Sequence, residues 1–294
     1  MAALLIRDGV PYWWLSPDIW VVPGPDPDGA PGLPSAGQPA FVWARVANQS
    51  RVELANVEIR FHWSNPATGV LRSNSTLIGT SFATIAAGGT VEVLCVSPWV
   101  PVSVSNGHVC LVAEAIHPAD ALPQPLPDPF APPAHNQVAQ RNIDLVSLAP
   151  GMMRMMAIEL AAPVRHPRHV IITVERARVP LDKDLLPTLG LTNYRFTPDL
   201  PVELALLDTP ELDCRKFPAA EKLERKLAAG DAGAVHVALR AGKLPNGVYG
   251  LVHVLENDAA TGTVTGGVSL IIIAARRTRA KPRLSRPSPA ESAS

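Results

Sequence analysis

Apolar residues recur at every second position over much of this chain. "QPAFVWARVANQS" sets Val42, Ala44 and Val46 on one side and Phe41, Trp43 and Arg45 on the other. "ANVEIRFHWSNP" repeats the alternation, with Val57, Ile59, Phe61 and Trp63 opposed to Glu58, Arg60 and His62. A period of two with one apolar side predicts strands that rest one face on a core. "TLIGTSFATIAAGGTVEVLCVSPWV" predicts two or three more strands around a turn at Gly88–Gly89. "NGHVCLVAEAI" predicts another, opened by the turn pair Asn106–Gly107. A loop with seven prolines in 19 residues follows, from His117 to His135, and "VAQRNIDLVSL" reads as the strand that closes the unit. Seven or so short strands at this spacing predict a β-sandwich.

The second half reads in the same style. "MMRMMAIELAA", "RHVIITVERAR", "LPVELALLD", "AVHVALRAG", "GVYGLVHVLEN" and "GGVSLIIIAA" predict strands, the last two as a terminal hairpin. "PAAEKLERKLAAGDAG", Pro218–Gly233, has helix formers, mixed charge and a closing glycine, so it predicts one short surface helix. From Arg276 onward no apolar face remains, which predicts a disordered basic tail. The fold class expected is all-β: two tandem immunoglobulin-like sandwiches over residues 1–148 and 149–275, one short helix, and a tail over 276–294.

"PAFVWARVANQSRVELANVEIRFHW", then "GHVCLVAEA", then "NQVAQRNIDL" make residues 17–147 resemble the immunoglobulin-like cell-adhesion-related domain found in bacteria. The resemblance implies a sandwich fold in a family that is mostly extracellular. It says almost nothing of function. The Pro-rich insertion before the last strand is longer than that family usually carries. Residues 150–275 resemble a second immunoglobulin-like unit through "GVYGLVHV" and "VTGGVSL".

Charge changes the picture only locally. The 294 residues carry 26 basic and 26 acidic side chains, which predicts no general affinity for nucleic acid or membrane. Residues 1–148 hold six arginines against 11 acids, residues 149–275 hold 14 of each sign, and the tail holds six bases against one acid. Arg276, Arg277 and Arg279 could dock an acidic partner, the first half of a neighbouring copy included. "MAALLIRDGVPYWW" has no basic start followed by a long apolar run, which predicts no secretory signal and a cytoplasmic start. A leaderless route of export is left open. No apolar run is long enough to span a bilayer.

Candidate chemistry is sparse. No G-x-S-x-G, P-loop, dinucleotide fingerprint or H-E-x-x-H occurs, and "TGTVTGG" precedes a strand and reads as a hairpin turn. His108 and Cys110 share a strand face, inward if Cys110 is a core cysteine, and a thiol enzyme would draw on them with His117 and Asp120. Cys95, Cys110 and Cys214 suit a reducing compartment, a Cys95–Cys110 bridge being the one alternative. His117, Asp120, Asp128 and His135 around the Pro-rich loop, with "PDPDG" at Pro25–Gly29, contain metal-ligating types. Turn chemistry accounts for the same letters, and no metal or cofactor is expected.

The aromatic residues carry the functional expectation. All six tryptophans (Trp13, Trp14, Trp20, Trp43, Trp63 and Trp99) precede residue 100. Trp63 belongs with the core. "YWWLSPDIW" is expected to cross the sheet as an edge strand and cap over the face of Trp43, Phe41 and Arg45. Adjacent strand residues face opposite ways, so one of Trp13 and Trp14 is buried and the other meets solvent or a partner. The segment is a structural cap, a protein interface or a sugar platform. In "MMRMM", Met153 and Met155 are the outward pair, expected at the contact between halves. The expected function is a non-catalytic interaction or structural module, with protein partners, self-association among them. The candidate binding residues are Trp13, Trp14, Trp20, Trp43, Phe41, Met153 and Met155. A carbohydrate-binding accessory module is the second reading and a hydrolase or thiol enzyme the third.

Overall fold

The computed structural model describes residues 3–9, 12–102, 110–211, 217 and 220–275. The chain is all-β, as its alternation predicts. In the first half, β1 (Leu4–Leu5), β2 (Ile19–Pro23), β3 (Ala40–Asn48), β4 (Leu54–Ser64), β5 (Thr76–Ile85), β6 (Thr90–Leu94), β7 (Cys110–Ile116) and β8 (Val138–Arg141) form two four-stranded sheets. One places β3 between β6 and the pair β1 and β2; the other runs β5-β4-β7-β8. The alternating residues of β3 and β4 face each other, and Val42, Ala44 and Val46 share a core with Ile59, Phe61 and Ala113. With β1 and β2 counted as one interrupted strand, this is the connectivity of an immunoglobulin-type sandwich. Apolar contacts between β3 and β7 stand where that fold often has a disulfide. Trp63 and Trp99 pack on this core, as expected for Trp63.

The second half has β9 (Ile143–Leu148), β10 (Met153–Ala161), β11 (Arg168–Arg176), the one-turn helix α1 (Leu185–Thr188), β12 (Arg195–Phe196), β13 (Val202–Leu207), β14 (Lys222–Leu227), β15 (Ala232–Ala241), β16 (Val248–Asp258) and β17 (Val264–Ala274). A sheet β10-β15-β13 faces a sheet β14-β11-β16-β17-β9, with β12 beside β16. Ile158, Leu160, Val235 and Val237 from one meet Ile172, Val254, Leu270 and Ile272 from the other.

Three sequence expectations change. The helix expected in Pro218–Gly233 is strand β14, antiparallel to β11. Its core-packed residues, Leu223 and Leu227, are four apart. That spacing fits one face of a strand as well as one face of a helix, and the free edge of β11 decides between them. "VAQRNIDLVSL" does not stay in the first sandwich. It splits at Asn142, and β9 runs parallel to β17 in the second. The Gly266–Gly267 pair lies inside β17 rather than in the turn, which Gly262 makes at φ 70°. A Cβ on Gly266 would stand 2.0 Å from the Thr68 carbonyl oxygen, and one on Gly267 would stand 2.3 Å from the Trp14 ring. The glycines clear room for first-half segments to lie on the second sandwich.

Both large sheets are covered on their outer faces. The Pro-rich loop lays Leu122 and Phe130 over Cys110, Val112 and Val138. On the second sheet, Trp14 and Leu15 join Leu181, Leu185, Leu189 and Leu191 over Tyr249, Leu251 and Ile271. This double burial leaves eight consecutive residues buried in each of β16 and β17.

Candidate binding site at the junction of the two sandwiches

Asn142 is the stitch between the halves. Its buried Nδ2 donates to the carbonyls of Ala67 and Gly267, each at 2.7 Å. Its backbone N–H donates to Trp14 O, and its own carbonyl accepts from Ser269 N–H. Beside it the β4–β5 loop meets β10. Glu159 N–H donates to Pro66 O at 2.8 Å, and Asn65 Nδ2 donates to Glu159 Oε1 at 2.6 Å.

Residues 13 and 14 lie in a turn, not on a strand, and the edge strand of the segment is β2. Trp14 is wholly buried. Its Nε1 donates to Ser269 Oγ at 3.0 Å, and Ser269 Oγ lies 2.8 Å from His253 Nδ1. Tyr12 stacks on Trp14 at 4.9 Å and lies tilted against His253 at 4.1 Å, while its hydroxyl donates to Glu175 Oε1. Burial pushes the His253 imidazole down to about 4, so it is neutral near pH 7. A neutral imidazole then accepts the serine hydroxyl, and that hydroxyl's oxygen accepts from Trp14. Trp14 seals this serine–histidine pair. Its burial also removes Trp14 from the candidate contact residues.

Trp13 stays half-exposed, edge-on to Trp14 at 5.4 Å. It lines a cleft of about 330 Å³ between the halves, with Val70, Pro129, Pro132 and Pro133 on the first-half side and Pro163 and Val264 on the other. Its polar groups are Gln140, Arg168 and Thr265. Arg168 is committed to Glu256, whose carboxylate also accepts from Thr68 (2.5 Å) and Thr265 (2.7 Å). Gln140 is 1% exposed, and its Nε2 has no oxygen or nitrogen acceptor among the described residues. Its polar neighbour is the Cys110 sulfur, a weak acceptor. A buried amide without a strong partner is costly, so one underused donor lies buried behind the cleft wall that Gln140 forms.

A buried ion pair holds the proline wall in place. Arg72 donates to both oxygens of Glu114, at 2.9 and 2.7 Å, and its Nε donates to Pro127 O. Its guanidinium lies 4.2 Å above the Phe130 ring, and His62 Nε2 is 3.4 Å from Glu114. Burial alone would raise the Glu114 carboxyl, but His62 and Arg72 together hold it down to about 2.

Trp20 and Trp43 lie together elsewhere, on the outer face of the first sheet. Their rings are 6.0 Å apart and 5° from parallel, and the Arg45 guanidinium lies 5.6 Å from Trp20. Trp20 is buried, while Trp43 and Phe41 are half-buried. The cover is the 24–32 loop rather than the 12–15 turn: Trp43 Nε1 donates to Pro27 O at 3.2 Å. Asp28, Arg45, Glu92 and Thr188 line the shallow cleft of about 350 Å³ beside these rings.

The remaining candidates are dispersed. Met153 and Met155 are half-buried on β10, where Glu159 is the residue that hydrogen-bonds to the β4–β5 loop. Asp120 accepts from the N–H groups of Ala3 and Leu4, and Asp128 from Ser73 N–H. His117 Nδ1 accepts from Ala119 N–H. No group of three metal-ligating side chains occurs among the described residues. Cys110 faces outward under the Pro-rich loop, not into the sandwich core, because β7 turns Leu111 and Ala113 inward. Burial pushes its thiol up, against lowering by Ser64 and Gln140. Cys95 is in the core, so β4-β7 separates the two free thiols and they cannot bridge. His108, Cys214, Arg276, Arg277 and Arg279 lie outside the described residues. Sequence reasoning missed Asn142, Gly267 and Gln140. The glycine pair inside an apolar run was the one signal on offer, since such glycines mark a close approach.

No family model matches the chain, the cell-adhesion-related domain included, and no curated protein matches it. Among solved structures it is similar to the N-terminal domain of PorA, at 12% identity and TM-score 0.28 over 46% of this chain and 89% of that one. It is also similar to the CupB6 tip adhesin from Pseudomonas aeruginosa, at 13% identity and TM-score 0.25 over 93% and 97%. A third is a mutant of the CFA/I enterotoxigenic E. coli adhesin CfaE, at 9% identity and TM-score 0.27 over 94% of each chain. No functional reading follows from likeness at this level. No helix among the described residues is long and apolar enough to cross a membrane.

Proposed function

We propose that this chain is a non-catalytic binding module whose junction cleft takes a short apolar segment of a protein partner. The observation that carries the reading is the convergence of Trp13, the proline wall and the underused Gln140 amide in one concavity. A half-exposed tryptophan beside prolines supplies rigid apolar area, and a single buried donor supplies direction. The fitting ligand is an aromatic- or proline-containing stretch that offers one carbonyl to Gln140. Arg168 is neutralised by Glu256, so the cleft does not select for acidic peptides.

Arrayed peptides followed by calorimetry on the hits test this. Trp13→Ala should abolish binding and Gln140→Leu should weaken it about tenfold, while Trp43→Ala leaves it intact. Loss at Trp43 with Trp13 indifferent would move the site to the outer face of the first sheet. There the paired Trp20 and Trp43 rings beside Asp28, Arg45 and Glu92 favour a sugar, the second reading. A flat response across varied glycans sinks that one.

A further inference from the structure

The strand edges of this molecule are treated unequally. At the β2 edge, Gly32 N–H donates to Val21 O and Arg141 donates to Ile19 O. Along β8, Ser16 N–H donates to Gln140 O and Asn142 N–H to Trp14 O. On β10, Glu159 bonds to both Pro66 and Thr68. β14 has no such cover among the described residues but carries Lys222, Glu224, Arg225 and Lys226, the charges that discourage strand pairing.

Among the described residues β5 has neither protection, and the one charge on β6, Glu92, is paired with Arg45. β5 and β6 are the edge strands of the two facing sheets on one flank of the first sandwich. Among the described residues a single bond joins them, from Ser81 Oγ to Leu94 O at 2.6 Å. β5 is ten residues long, "TLIGTSFATI", with no charge and no proline. Phe82 is 66% exposed on it, Leu77 is 51%, and Val96 just past β6 is 67%. Between the strands runs an open groove of about 450 Å³.

We propose that this flank pairs with the same flank of a second copy, β5 against β5 antiparallel, to give a two-fold dimer with a continuous sheet. An edge without charge does not repel its own image, and a two-fold axis lets each strand satisfy the other's bare amides and carbonyls. Ten paired residues make a strip about 33 Å long. The five residues of β6 add about half that length on the facing sheet, so at about 10 Å per sheet the flank covers roughly 500 Å² per copy, about 1,000 Å² in all, the lower bound for a specific interface. With all ten residues paired about the two-fold axis, Phe82 of each copy lies across from Gly79 of the other and Leu77 across from Thr84. This pairing is independent of the junction cleft.

The test is sedimentation of the full chain over a concentration series, with amide exchange followed in 76–85 and 222–227. The expected result is a dimer at micromolar concentration, with β5 amides protected only when concentrated and β14 amides indifferent. Phe82→Lys, at an exposed position, should raise the dimer dissociation constant at least tenfold and leave the melting temperature of the dilute monomer unchanged. A chain that stays monomeric at every concentration overturns the proposal. So does a dimer that survives Phe82→Lys with β5 exchanging alike at both concentrations.

Discussion

The two large sheets solve one problem with different chemistry. Each has an apolar outer face that a loop must cover. Over β4-β7 the Pro-rich loop is pinned by a buried ion pair, Glu114 with Arg72, roofed by Phe130. Over β16-β17 the cover is leucine-rich, and its polar line of Trp14, Ser269 and His253 carries no charge near neutral pH. Prolines supply little side chain for burial and no amide donor, so the first loop needs a strong polar anchor. The leucines of 181–191 bury enough area to need only alignment. A charged anchor and an apolar cover should therefore fail in different ways.

The largest effects come from removing each anchor. Trp14→Ala and Arg72→Met are each expected to cost about 3–5 kcal/mol, the first by leaving a cavity and the second by leaving Glu114 buried and unpaired. Only the second should be rescued by a further change. Arg72→Met with Glu114→Met should regain most of the loss, because two apolar side chains replace a desolvated pair. Urea unfolding of the single and double variants decides it. A double variant no more stable than Arg72→Met would show that the ion pair does more than satisfy itself.

Acid should separate the covers next, with a smaller effect. The His253 pKa is depressed in the folded state, so its stabilisation is present above about 6.5 and lost as pH falls through about 4. The span is about 3 kcal/mol, and His253→Gln should flatten it. Glu114, held down to about 2, loses its contribution in a lower window, from about 4.5 downward. Asp8 runs the other way: burial raises it to about 7, so its contribution is present below about 4 and lost as pH rises through 7. Stability against pH is therefore best recorded in an Asp8→Asn background. A single acid transition that neither His253→Gln nor Glu114→Gln moves would mean that the two covers unfold as one.

How legible all this was depends on range. The β3 and β4 alternation was read correctly because each strand buries one face locally. The β14 error came from Leu223 and Leu227, whose spacing suits either element; the partner that decides, β11, lies some 50 residues away. β9 was misplaced for a similar reason, since nothing in "VAQRNIDLVSL" says that Asn142 ends one sheet's business and begins another's. At the site, the rule that one of two adjacent tryptophans is buried held, though through a turn rather than a strand. Which one was not readable, because the Gly267 clearing that admits Trp14 is 253 residues further on. The pairing of Trp20 with Trp43 also needed the β2–β3 register.

The smallest stability effect belongs to the residue with the largest expected consequence for binding. Trp13 is half-exposed, packs on the rim of the leucine-rich cover and meets Trp14 edge-on. Such a contact is worth about 0.5–1.5 kcal/mol, so Trp13→Ala should cost about 1 kcal/mol and leave both covers in place. A structural cap would behave otherwise: truncation would then cost as much as Trp14→Ala and bring the same loss of cooperativity in urea. If Trp13→Ala unfolds near the wild-type midpoint yet no longer holds peptide, the adjacent tryptophans divide the work, one closing the second sandwich and the other facing the partner. If it loses about 3 kcal/mol or more, the cost of a buried ring, both rings are cover, and the junction cleft is a seam rather than a site.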